Sequence, residues 1–190
     1  YWANLAQHQL SSGDKIAALN SIRAAGQASS FSMGWGKRIH RFSAVLESTL
    51  SVSTSCSAQL AVNVSSLASP VYARYLTDCR NQAESSDWAE ACINLGQAME
   101  NSAQTMLTKS FGFALQNAVF EVTDNSVGVT AVQQRKAEFQ DRVKSLSIDY
   151  SCALKDDAST QRWLEMLREH DELETMAKIA ARADGCGSES

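Results

Sequence analysis

CRNQAESSDWAEAC, residues 79–92, begins and ends with cysteine, and its midpoint falls between Ser85 and Ser86. Val71, Tyr72, Tyr75, Leu76 and Cys79 precede that midpoint at helical spacing, and Ile93, Leu95, Ala98 and Met99 follow it. Apolar residues recurring three and four apart mark one face of a helix. The segment therefore reads as two antiparallel helices folded at Ser85-Ser86. Residues equidistant from such a fold lie side by side, so Cys79 and Cys92 face each other. Facing cysteines can reach the Cα separation of about 4.4–6.8 Å that a disulfide needs. The pair is a disulfide candidate; the competing reading is two small buried hydrophobes at a close crossing. Asp87 with Glu90 three residues on offers a capping box for the second helix.

The same periodicity extends outward. Upstream, Trp2, Leu5 and Ala6 read as a first helix ending at Ser11-Ser12-Gly13. A second follows from Asp14, with Ile16, Leu19, Ile22 and Ala25 on one face. Trp35, Ile39, Phe42 and Leu46 make the next apolar stripe. Residues 51–69 are Ser-rich and weakly patterned, so only a short helix flanked by loops is expected there. Ser69-Pro70 is a helix start, with Ser as N-cap and Pro at the first helical position.

Downstream, residues 103–120 are apolar and read as core. Asp124-Asn125-Ser126-Val127-Gly128 interrupts them, and Thr130 with Gln133 offers another capping box. Residues 119–132 also admit a small β-hairpin, because Val and Phe flank turn residues. A last helix is expected from Ser159 to Arg182, with Trp163, Met166, Leu167, Leu173 and Met176 facing inward.

Composition agrees with helices. The chain has 190 residues with one proline and nine glycines. Sheet-rich folds need frequent turn residues, and these are scarce. The fold class read from the sequence is all-α: antiparallel helical hairpins, tetratricopeptide-like or an irregular bundle. One domain over 1–190 is expected, with a division into 1–69 and 70–190 as the alternative.

A formal net charge of -4 argues against a nucleic-acid binder that relies on a broad basic field. No apolar run approaches the roughly 18–20 residues of a membrane span. The chain opens at Tyr1-Trp2 inside a helix, as a mature or partial chain would. Five cysteines in a chain rich in Ser, Gln and Asn point to an exported, periplasmic setting. Cys56, Cys152 and Cys186 remain beside the facing pair. A Cys56–Cys152 bridge is open but has no specific support, and Cys186 is expected to be exposed.

Helix, Gly-Asp turn, helix at the chain start resembles a tetratricopeptide repeat. Trp2, Leu5, Ala6, Gly13-Asp14, Ala18, Ile22 and Ala25 fall at the spacings of that family's aromatic, Leu, small, turn and apolar positions. Tyr75, Cys79, Ser86-Asp87, Ala91, Leu95 and Ala98 are similar less fully, with Asp78 where the family has leucine. The two registers differ by 73 residues (75 minus 2), which is not a multiple of the family's length of about 34. Residues 28–70 hold no repeat, and the family's terminal proline is absent from both copies. The resemblance covers about a quarter of the chain. It implies stacked helical hairpins and a protein partner, and it carries no catalytic residues.

Three clusters bear on function. Lys37, Arg38 and Arg41, with His40, lie in WGKRIHR and could hold an anion; the plainer reading is the basic outside of an amphipathic helix. His170 with Glu172 and Glu174 could serve acid–base chemistry or a metal, against the plainer reading of a solvated charged face. No Cys-x-x-Cys or His-x-x-x-His spacing supports a metal, and no Gly-rich phosphate loop or nucleophile elbow is present. No cofactor is implied. The function expected is a non-catalytic helical interaction or scaffold module. A small-ligand or lipid carrier using 103–120 is the alternative, and an enzyme using the last helix comes third.

Overall fold

The computed structural model describes residues 2–29, 34–67, 71–153, 156–170 and 172–180. Among them lie ten helices: α1 (Trp2–Ser11), α2 (Lys15–Gly26), α3 (Trp35–Leu50), α4 (Thr54–Leu67), α5 (Val71–Gln82), α6 (Ser86–Ser102), α7 (Met106–Val122), α8 (Ser126–Ala153), α9 (Asp157–Glu169) and α10 (Glu172–Ala180). The fold is all-α. No described helix is long and apolar enough to cross a membrane.

The chain divides into two compact units, each built from two separate segments. Unit 1 is Tyr1–Phe31 with Pro70–Glu138, and unit 2 is Ser32–Ser69 with Phe139–Ser190. The 69/70 boundary read from the sequence is one of three points where the chain passes between them.

In unit 1, α1 and α2 form a hairpin whose turn needs Gly13, at φ 83°. Asp14 caps α2 by accepting from the Ala17 N–H at 3.0 Å. Ala6, Ala18, Ile22 and Ala25 are buried. Ile16, expected on that inward face, is 78% exposed. It sits in the first turn of α2, off the side of the helix that carries Ala18, Ile22 and Ala25.

The α5–α6 hairpin turns where the sequence indicates, but its cap differs. Ser85, not Asp87, is the N-cap residue, with extended backbone at φ -81° and ψ 123°. Asp87 instead pairs with Arg23 at 3.1 Å. Gly96 of α6 and Gly112 of α7 bring two backbones together: a Cβ on Gly112 would meet the Gly96 carbonyl at 2.6 Å. Only glycine permits that approach.

Residues 103–105 stay outside any helix, and Thr105 caps α7 by accepting from Thr108 N–H at 3.2 Å. The segment 119–132 is a helix–turn–helix and not a β-hairpin. Asp124 takes the left-handed conformation at φ 52°, and Asn125 accepts from the Gly128 N–H at 2.8 Å. This places the start of α8 at Ser126. Thr130, expected to open the helix, lies inside it and donates to the Ser126 carbonyl at 3.0 Å.

In unit 2, the Ser-rich stretch forms a full helix, α4, where only a short one was expected. One of its serines is used inward: Ser57 is fully buried and shares a 2.7 Å hydrogen bond with Ser43 of α3. Ser57 also donates to Glu47 at 3.0 Å. The core joins Ile39, Ala58, Ala61, Trp163, Leu164 and Leu167, with Trp35 partly buried against them.

The expected single last helix is two. α9 ends at Glu169, and His170 takes extended backbone, φ -119° and ψ 167°, as its C-cap. Asp156 opens α9 by accepting from Ser159 N–H at 2.7 Å. The Ser69-Pro70 cap, Cys186, and the end of the last helix at Arg182 lie outside the described residues.

Candidate interaction surface

The candidate site is built on the α3–α4 hairpin. Ser43 and Ser57 fix its register, because their side chains meet across it. α9 packs against both helices on one side. On α3 that side carries Gly36, which lies against the backbone carbonyl of Leu167, and His40, which lines a pocket with α9 residues. On α4 it carries Ser55, whose N–H donates to Asp157 at 3.0 Å.

Phe42 and Val45 lie elsewhere on α3. At about 100° per residue, Phe42 is about 120° round from Gly36 and about 160° from His40. Leu60 and Val64, four apart on α4, likewise lie off the side that carries Ala58 and Val62. Since α9 covers the same flank of both helices, these four residues share the opposite flank. Phe42 is 44% exposed, Val45 58%, Leu60 38% and Val64 49%. Phe42, expected to face inward, is thus a correction. Ser43 takes the inward position because Ser57 can satisfy its hydroxyl.

The basic cluster borders this strip. Lys37 and Arg41 are exposed, as an amphipathic helix predicts. Arg38 is half-buried, and its Nε is shut from water with no hydrogen-bond partner among the described residues. α4 contributes no charged residue at all. The face therefore combines four half-exposed apolar side chains with three cations and no carboxylate on its α4 side.

The charged groups of α9 and α10 meet differently from the sequence reading. His170 and Glu174 come together across the helix break, not along one helix face, with His170 Nδ1 and Glu174 Oε1 3.3 Å apart. Lys178 Nζ lies 2.8 Å from Glu174 Oε1 and 2.8 Å from His170 Nε2. The Lys178 hydrogen bond, then the His170 and Lys178 charges, hold the Glu174 carboxyl below its ordinary range, against a smaller opposing effect of burial. The pocket of about 420 Å³ beside His40 is lined by Gln161, Arg162, Glu165, Met166, Arg168 and Glu169, and it takes in none of His170, Glu172 and Glu174. Among the described residues, no three His, Cys, Asp or Glu side chains converge as a metal site would require.

Unit 1 holds a polar cluster that sequence reasoning missed. Gln116 of α7 is fully buried, and its Nε2 donates to Glu100 of α6 at 2.8 Å. Arg135 of α8 donates to Glu100 at 2.7 and 3.2 Å and to Gln116 Oε1 at 3.0 Å. The hydrogen bond to Glu100 raises the Arg135 pKa above its ordinary value, outweighing burial. Each member is satisfied by the others, so the cluster pins three helices in register. The signal available was Gln116 on the face shared with Gly112, Phe113 and Val119 of an otherwise apolar helix.

Cys79 and Cys92 form a disulfide, with Cα atoms 5.9 Å apart. Cys56 carries a free, exposed thiol, which excludes a bridge to Cys152. No protein-family model, curated protein or solved structure matches this chain.

Proposed function

We propose that this chain is a non-catalytic interaction module of an exported protein, working in the periplasm. The observation that carries the reading is the exposed apolar strip Phe42–Val45–Leu60–Val64 on the α3–α4 hairpin. Single exposed hydrophobes are ordinary; four on one flank of a two-helix face are the pattern of a surface that a partner covers. The Cys79–Cys92 disulfide supports an oxidising compartment, where such bonds persist. The carrier alternative has less support. The buried side of α7, with Phe113 and Val119, is taken up by packing on α6.

The test is site-directed photo-crosslinking in the native host. A photoreactive residue at Val45 or at Val64 should give a discrete covalent adduct. The same residue at Ile16 or Val127, which are more exposed but lie in unit 1, should give none. Equal adducts from all four positions, or none from any, would overturn the proposal.

A further inference from the structure

Resting on that reading of the α3–α4 face, we infer that its partner is an acidic amphipathic helix. Its apolar stripe covers Phe42, Val45, Leu60 and Val64, and its carboxylates meet Lys37, Arg38 and Arg41. The shape argument comes first. Two antiparallel helices leave a shallow groove between them, and on this hairpin α9 fills one groove while the other bears the exposed apolar row. A helix laid there repeats the packing that α9 already makes on the other flank, as amphipathic helices do in apolar grooves.

Charge complementarity gives the partner its sign. Lys37, Arg38 and Arg41 form no ion pair among the described residues, although the chain as a whole is acidic, at -4. Arg38 holds a water-excluded Nε with no acceptor. Cations left without internal partners beside an apolar row steer an acidic partner into register and reject a basic one. An anionic membrane is the weaker match. Three basic residues contribute about 1 kcal/mol each near a charged bilayer, and a single chain-surface patch of that size anchors poorly against the repulsion of a net-acidic protein.

The probe is an 18-residue helical peptide with leucines on one stripe and glutamates flanking them, titrated into the full chain under fluorescence anisotropy. A lysine-for-glutamate peptide of the same stripe and a scrambled peptide serve as comparators. The acidic peptide should bind at least tenfold tighter than either. Lys37→Glu with Arg41→Glu, both at exposed positions, should reverse the preference between acidic and basic peptides while circular dichroism is unchanged. Bound peptide should also slow maleimide capture of Cys56, one turn before Leu60 on α4, as read by peptide mapping.

Equal affinity for acidic and basic peptides overturns the inference. So does tighter binding to phosphatidylglycerol vesicles than to the acidic peptide, or self-association of the chain that Val64→Asp abolishes. Crosslinks at Val45 and Val64 without an acidic preference would remove this inference alone and leave the interaction reading standing.

Discussion

Trp163 has 1% of its surface exposed and sits among Ile39, Leu164 and Leu167, so it is a packing residue. Trp163→Ala should destabilise the protein by about 3–5 kcal/mol, the cost of removing a large buried aromatic and leaving its cavity. Urea unfolding measures this, and a loss under 1 kcal/mol would place the indole at a surface. Arg135 tests the polar cluster. Glu100 keeps only 13% of its side chain exposed, and Arg135 39%. Arg135→Met would strip Glu100 and Gln116 of their shared donor. Because the guanidinium is more than a third exposed, water already competes for it, and the expected loss is about 1–3 kcal/mol. Trp163 was legible because its neighbours repeat at helical spacing. Gln116 was not, because its partners are 16 and 19 residues away and hydropathy patterning carries no hydrogen-bond geometry.

At the scale of elements, periodicity located nearly every helix, and the errors cluster at helix ends. The last helix was read as continuous because Leu173 and Met176 keep helical spacing with Trp163. That spacing survives a break at His170 when the next helix packs back on the same core. Caps were misplaced because Ser85, Asp87, Asn125 and Thr130 are all good cap types, and only tertiary contacts decide among them. Asp157 gives this scale its prediction. Its carboxylate accepts from the Ser55 hydroxyl and the Ser55 N–H, tying the start of α9 to the start of α4. The hydroxyl bond, then the backbone bond, hold its pKa below the usual carboxylate range, against a smaller opposing effect of burial. A depressed folded-state pKa means stability that is present above the unfolded value, about pH 4, and is lost as pH falls through the lower folded value. Asp157→Asn should therefore lower the urea midpoint at neutral pH, and the gap to the parent should close toward pH 2. A gap that stays constant down to pH 2 would show that the carboxylate's charge contributes nothing.

Across the whole molecule, the clearest prediction is the bridge. The loop closed by Cys79 and Cys92 spans 14 residues counting both ends (92 minus 79 plus one). Chain-entropy reasoning gives such a loop about 3 kcal/mol. Reduction should lower unfolding free energy by up to that amount and raise hydrogen exchange in α5 and α6. Free alkylation of both cysteines in the unfolded, unreduced protein would mean there is no bridge. The hairpin and its facing cysteines were legible from one 14-residue stretch because they depend on local spacing. Of the division into two units only the 69/70 point was legible, from the Ser-Pro helix start; the crossings after Phe31 and Glu138 depend on which hairpins share a core, and the sequence carries no local mark of that. That division bears on synthesis. Gly26 of α2 packs on the α6 backbone at Leu95, 69 residues later in the chain (95 minus 26). At about 5–20 residues per second, translation needs about 3–14 s to supply that partner. Throughout that interval the side of α2 that meets α6 has no partner, so unit 1 cannot close its core until α6 has been made.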